Sequence, residues 1–370
     1  MGMTPIGLRV LLPMGASAIA LMLSGGCGTS APPVATLPAR ATTPHAGAAT
    51  TPSPTAPTDS AFALQAAYES VIHRVLPSIV QITTSNGLGS GIVYDTAGHV
   101  ITNAHVLGES RTFQVTLPSG GKSRQAKLVA AHPLGDLAVI KVDNPAGLSP
   151  GKFGDSSKAK VGQIVLAMGN PLGLSGSVTN GIISALDRTV TEPPGRGSAG
   201  ATIPNAIQTS ADINPGNSGG ALVTLNGEVI GIPTLAAADP QLGRGTAPGI
   251  GFAIPSNTAT DIANQIIKEG KVTNTRRAAL GITGQTIVGT DGTPAGVGVA
   301  KVNPGSGAEK AGIHPGDVIV GVNGAKITSL TDLSEKLAAY KIGDQAKITV
   351  LRPDGKKTTV DVTLSELPSD

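Results

Sequence analysis

Cysteine occurs once in the 370 residues, at Cys27, and tryptophan not at all. Three tyrosines and four phenylalanines make the aromatics only 2%, and Asp, Glu, Lys and Arg together reach 14%. Each scarcity removes a class of protein. A single thiol excludes an intramolecular disulfide and any multi-cysteine metal site. So few aromatic rings leave no stacking platform of the kind single-stranded nucleic-acid binders need. With 27 basic against 24 acidic residues the net charge is +3, which provides no strong footprint for a phosphate backbone. The low charge also argues against long solvated helices or coiled coils. What the chain has instead is 50 glycines, 28 prolines and 40% apolar residues. That mixture predicts many short strands joined by tight turns.

The N-terminus reads as a targeting segment. Residues 1–26 carry one charge, Arg9, followed by an apolar run from Val10 to Leu23. The run falls short of the roughly 20 helical residues a bilayer requires and fits the core of a secretory signal peptide. Ser24-Gly25-Gly26-Cys27 follows and resembles a lipobox, in which Cys27 becomes the lipidated first residue of the mature chain. It departs from the usual pattern in having Ser24 where leucine stands. An ordinary export signal with an incidental cysteine and an uncleaved membrane anchor are the open alternatives. Residues 27–60 are mostly Ala, Thr, Pro and Ser, with seven prolines between 28 and 60. Such a segment buries too little apolar surface to offset its ordering entropy and reads as a disordered tether.

Two folded units are predicted after the tether, at 61–270 and 271–370. The first opens with a helical pattern from Phe62 to Leu76, stopped by Pro77. Short apolar strands then recur, among them 79–83, 91–94, 99–102, 112–117, 137–142, 164–168 and 222–225, separated by turn signals such as Asn226-Gly227. A second helical pattern runs from Thr258 to Glu269 and ends at Gly270. The smaller unit combines strands with one amphipathic helix, Leu330 to Tyr340, and a turn at Arg352-Pro353-Asp354-Gly355.

Chemistry concentrates at three places. Asn214-Pro215-Gly216-Asn217-Ser218-Gly219-Gly220 sets a serine in a glycine-rich turn, where its hydroxyl stands clear of the backbone. A serine nucleophile needs a base and an orienting carboxylate. Of the six histidines, His105 lies just past a strand end in Thr102-Asn103-Ala104-His105-Val106, whereas His99 starts that strand beside Gly98 and looks like a turn residue. Asp136 opens the apolar run Leu137-Ala138-Val139-Ile140-Lys141, and a carboxylate at the mouth of a buried strand needs partners. Taken singly, each has a structural alternative: a Gly-Ser loop, a core histidine, a turn aspartate. Their order, His105, Asp136, Ser218, is that of chymotrypsin and not of subtilisin or the α/β-hydrolases. Gly216-Asn217-Ser218-Gly219-Gly220 also satisfies Gly-x-Ser-x-Gly, but the hairpin pattern after it is not the helix a nucleophile elbow requires.

With these residues the chain resembles the HtrA (Deg) family of serine proteases, a chymotrypsin-like domain followed by one PDZ domain. The resemblance covers about 75–366 and rests also on Gly89-Ser90-Gly91, Gly154-Asp155-Ser156, Gly169-Asn170-Pro171, Ile207-Gln208-Thr209 and Gly251-Phe252-Ala253-Ile254-Pro255. It implies a mainly β fold: two six-stranded β-barrels with the triad between them, and a small α+β PDZ domain. Ser218 would attack the scissile carbonyl, His105 would carry its proton, and Asp136 would fix the imidazole. The N–H groups of Gly216 and Ser218 would form the oxyanion hole, and the Thr234 hydroxyl would support Asp136. No metal or organic cofactor is implied.

Ala279-Leu280-Gly281-Ile282 matches the PDZ carboxylate-binding loop, with Leu333 and Leu337 as walls of a peptide groove. Partners would be unfolded or misfolded proteins and peptide C-termini, with the membrane reached through a lipid on Cys27. A homotrimer would form through Phe62 and Tyr68, unless these only pack the first helix. The leading expectation is an exported, envelope-localised endopeptidase; the alternative is a peptide-binding chaperone or scaffold with secondary proteolysis. Two departures from the family pattern stand out. The acid usually eight residues before the nucleophile is Ser210 here, and Asp212 stands six before it. Asp212 therefore either shifts the specificity pocket toward polar or basic residues or turns into the loop, leaving Ile213 and Leu235 to keep the pocket apolar. Pro233 replaces an asparagine and removes one backbone donor from the substrate-pairing wall. Loops around 187–206 and 234–250 would carry activation.

Overall fold

The computed structural model describes residues 59–367 except 86, 171–175, 193–199, 215 and 239–245; at 61, 235–238, 246 and 248 it describes the backbone alone. Cys27, the signal segment and nearly all of the tether lie outside the described residues.

The first helix, α1 (Asp59–Val75), begins two residues inside the expected tether and ends where Pro77 enters a short 3-10 turn. Six strands follow: β1 (Ile79–Thr83), β2 (Leu88–Val93), β3 (His99–Thr102), β4 (Thr112–Thr116), β5 (Arg124–His132) and β6 (Leu137–Val142), with the single-turn α2 (Ala104–Leu107) after β3. They close into a barrel in the order β1-β2-β3-β6-β5-β4. A second closed barrel, β10-β11-β12-β9-β8-β7, is made of β7 (Ile164–Gly169), β8 (Ser177–Glu192), β9 (Ala201–Thr209), β10 (Ala221–Thr224), β11 (Val229–Ala238) and β12 (Thr246–Pro255).

Continuous apolar runs mark strands buried on both faces. In β6, Ala138, Ile140 and Val142 fill the first barrel, while Leu137 and Val139 point the other way into a core shared with the second. The period of two makes this division automatic. The shared core also receives Val71 and Val75 from α1 and Ile262 and Ile266 from α3 (Ser256–Glu269). Helix α3 stops at Gly270, whose φ of +71° closes the C-cap.

The PDZ unit pairs β13 (Ala278–Ala279) with β20 (Ser365–Glu366). Its main sheet runs β14 (Ile282–Val288), β15 (Pro294–Val302), β16 (Val318–Val322), β18 (Gln345–Leu351) and β19 (Lys357–Thr363), with β17 (Ala325–Lys326) beside β16. Helices α4 (Gly307–Lys310) and α5 (Leu330–Ala338) pack on it, and α5 also lies against β8 and β9 of the protease unit.

His99 opens β3, as expected, and is half-buried with Nδ1 2.6 Å from Asp95 Oδ2 and Lys141 of β6 paired opposite. One expectation is corrected. Much of the expected loop 187–206 is strand, because β8 and β9 extend as one hairpin whose pairs continue out to Glu192 and Ala201. Among the described residues no helix is long and apolar enough to cross a membrane.

Candidate active site

Strand ends deliver the three candidate residues to one cleft. Asp136 occupies the turn between the 3-10 segment 133–135 and β6, with φ +52° and 1% exposure. Its carboxylate is held from several sides. Oδ1 accepts the His105 backbone N–H at 3.0 Å, and the imidazole Nδ1 lies 3.0 and 2.9 Å from the two oxygens. The Thr234 hydroxyl donates a short bond to Oδ2. These donors offset the desolvation a buried carboxylate suffers. Nδ1 facing the carboxylate assigns its proton there and leaves Nε2 as the basic nitrogen.

Ser218 sits at the head of the glycine turn. Its Oγ donates to the Thr234 carbonyl at 3.3 Å, and among the described residues no Ser218–His105 hydrogen bond forms. Thr234 therefore touches both ends of the set, through its hydroxyl and its carbonyl. Around it the turn is clamped to the first barrel. Ser90 donates its hydroxyl to the Gly216 carbonyl and its backbone N–H to the Ser218 carbonyl at 3.1 Å. Gly219 has φ +78°, and a Cβ there would collide with the Ser90 carbonyl and the Thr102 hydroxyl. With the Gly216 carbonyl drawn to Ser90, the N–H groups of Gly216 and Ser218 meet no acceptor among the described residues. Two free backbone donors can bind an oxyanion where they point to one spot.

A further carboxylate stands beside the pair. Glu192, at the end of β8, brings a ligand atom within 4.8 Å of those of His105 and Asp136, the one such metal-capable group among the described residues. Burial pushes the His105 pKa down, but the hydrogen bond and charge of Asp136, with the charge of Glu192, outweigh it and raise the imidazole above its ordinary value. Sequence reasoning missed Glu192, since it belongs to no motif and arrives only through the β8–β9 pairing.

The specificity residues are less convergent. The Asp212 side chain is exposed, while its carbonyl accepts from Thr179 Oγ1 at 2.8 Å and Asn217 Nδ2 at 2.9 Å. Ile213, 8% exposed, packs against Gly251, where any Cβ would collide with it. The Leu235 side chain is not among those described; its backbone pairs with Phe252 beyond a register shift that follows Pro233.

In the PDZ unit Gly281 adopts φ +80° against Ser306, and Ile282, half-buried, opens β14, the sheet's edge strand. The Leu280 carbonyl accepts from Ala308 N–H at 2.9 Å, and Ala279 pairs with Ser365. Leu333 and Leu337 are 3% and 8% exposed within the PDZ core. Four apart on α5, they form the stripe that packs onto the sheet, so they are less open to a groove than the sequence suggested. Tyr68 likewise packs on the shared core, whereas Phe62 is 56% exposed.

The trypsin-like peptidase domain matches residues 89–232 and the PDZ domain matches 270–364. A probable periplasmic serine protease do/HhoA-like of Haemophilus influenzae is 42% identical over 286 residues, covering 75% of this chain and 58% of that protein. The chain thus spans less than two thirds of the length of that relative. Serine protease Do-like HtrA of Lactococcus lactis is 39% identical over 298 residues, covering 76% of this chain and 71% of that protein. The solved structure of HtrA-type protease AlgW with decapeptide superposes with a TM-score of 0.53 at 29% identity, over 81% of this chain and 99% of that one. The chain belongs to the HtrA family of trypsin-like serine proteases bearing a PDZ domain.

Proposed function

We propose that the protein is a serine endopeptidase that cleaves unfolded or damaged proteins of the cell envelope, with Ser218 as nucleophile, His105 as general base and Asp136 as its orienting carboxylate. The observation that carries this reading is the His105–Asp136 pair, bonded through Nδ1 and joined to Ser218 through Thr234. The Ser218 hydroxyl must rotate from the Thr234 carbonyl to the free Nε2 of His105, whereupon the imidazole takes its proton as Oγ attacks. The tetrahedral oxyanion then lies against the N–H groups of Gly216 and Ser218, each worth about 3–4 kcal/mol of barrier lowering by analogy with other oxyanion holes. His105 returns the proton to the leaving amine, and water repeats the cycle on the acyl-enzyme.

The edge strand β14 and the Gly281 loop support a PDZ groove in which a peptide adds as a further strand, its terminal carboxylate held by the backbone of residues 279–282. The relative solved with a decapeptide agrees with peptide binding. Periplasmic relatives support export to the envelope, and Cys27 would then carry the lipid anchor. The deciding experiment is cleavage of unfolded casein with and without a C-terminal peptide. The wild-type chain cuts, and Ser218→Ala does not, by a factor of about 10³ or more. Cleavage that survives Ser218→Ala refutes the assignment.

A further inference from the structure

Where the protease barrels and α3 meet the linker residues 275–277 lies a cavity of about 420 Å³, a size within the range of small-molecule sites. Its apolar lining comes from Leu137, Ile203, Pro204, Ile254 and Ile262. Two arginines reach it from the linker, and they differ sharply. Arg276 forms a two-pronged bond to Asp261, 2.8 and 3.0 Å, which neutralises both groups. The charge of Glu366 also acts on Arg276. Arg277 has no carboxylate partner among the described residues. Its guanidinium makes one hydrogen bond there, from Nη1 to the Leu134 carbonyl at 3.0 Å, and burial alone acts on its pKa, lowering it. Arginine keeps its charge even so, and most of its N–H donors remain unused among the described residues. A half-buried cation without a counter-ion on an apolar wall is costly unless an anion joins it.

We propose that this cavity binds a small amphiphilic carboxylate, its head group paired in two-pronged fashion with Arg277 and its hydrocarbon chain laid along Leu137, Ile203, Pro204, Ile254 and Ile262. The planar guanidinium matches a carboxylate's two oxygens, and the aliphatic part of the lining accepts an alkyl chain. The Leu134 carbonyl that Arg277 holds and Gly135 in the cavity wall both precede Asp136, so the ligand would sit directly behind the His105–Asp136 pair.

Calorimetric titration of the full chain with octanoate, octanol and octylamine tests this without reading proteolysis, so its failure leaves the endopeptidase reading untouched. Octanoate is expected to bind saturably and at least about tenfold more tightly than octanol, the scale of a charge-assisted bond. Octylamine is expected not to bind. Arg277→Gln should erase the preference for octanoate over octanol, and Ile262→Trp, which fills the cavity, should abolish octanoate binding. Equal affinity for octanoate and octanol in the wild-type chain, or no saturable octanoate binding, overturns the proposal even where a variant misfolds. Octanoate binding that survives both substitutions places the ligand elsewhere, at the PDZ carboxylate loop for instance, and overturns it too.

Discussion

Thr234 is the residue through which the catalytic set is held together, and its two polar groups have separable roles. Its carbonyl is backbone and survives substitution; its hydroxyl is the Oδ2 partner of Asp136. Thr234→Val keeps the shape and leaves a carboxylate oxygen buried without that donor. Stability should fall by about 1.5–3 kcal/mol, the worth of a hydrogen bond to a charged group, while Thr234→Ser retains most of it. Urea unfolding of the three chains reads the difference. Glu192 offers a second prediction, in pH. Its negative charge helps raise the His105 pKa, and proteolysis needs the neutral imidazole, so Glu192 moves the acidic limb of activity to higher pH. Glu192→Gln should therefore shift that limb of the kcat/KM profile to lower pH, as should Glu192→Ala. An unchanged limb would mean that the Glu192 charge does not reach the imidazole.

At the scale of single elements, α5 is set by its own ends. Ser329 accepts from the Asp332 N–H at 3.0 Å, and the Asp332 carboxylate accepts from the Ser329 N–H at 3.2 Å, a reciprocal capping box. Ser329→Ala should cost the PDZ unit about 1 kcal/mol, visible as faster amide exchange in α5 with the barrels unaffected. The nucleophile turn depends on Gly219 more severely. Gly219→Ala must adopt φ +78° and push its methyl into Ser90 and Thr102, so loss of about 2 kcal/mol or more is expected, with activity falling alongside. Unchanged thermal unfolding of that variant would contradict the close approach. Many of the elements are legible in the sequence itself. The helices around 62–76, 258–269 and 330–340 and the runs 79–83 and 137–142 follow from local period and from Pro77 and Gly270 as stops. The extension of β8 and β9 is not legible there, because the Gly, Pro and Ala around it carry no period and only the register of Glu192 against Ala201 makes these residues strands.

For the whole molecule, the shared core explains why the aromatics can be so few. Aliphatic side chains from both barrels, α1 and α3 interlock there, and Tyr68, Tyr94, Phe153 and Phe252 pack at its edge. Phe62 is left 56% exposed on α1. If chains associate into a trimer, this ring is a candidate apolar anchor beside the exposed Leu64 of the same helix, and Phe62→Ala should convert the assembly to monomers on light scattering without altering the unfolding midpoint. A monomeric wild-type chain would remove that role from Phe62.

The order His105, Asp136, Ser218, the glycine turn around the serine and the split into two folded units are written in local sequence. Each depends on residue type and short-range period, which the chain carries without reference to its distant parts. Contacts between segments far apart in the chain were decided only by folding: Glu192 beside His105, Ser90 holding the Gly216 carbonyl, Asp212 facing solvent while Ile213 packs on Gly251, and Arg277 reaching Leu134 across the unit boundary. Barrel closure and strand register bring such pairs together, and these arise from the simultaneous burial of many side chains, which no short stretch of sequence specifies.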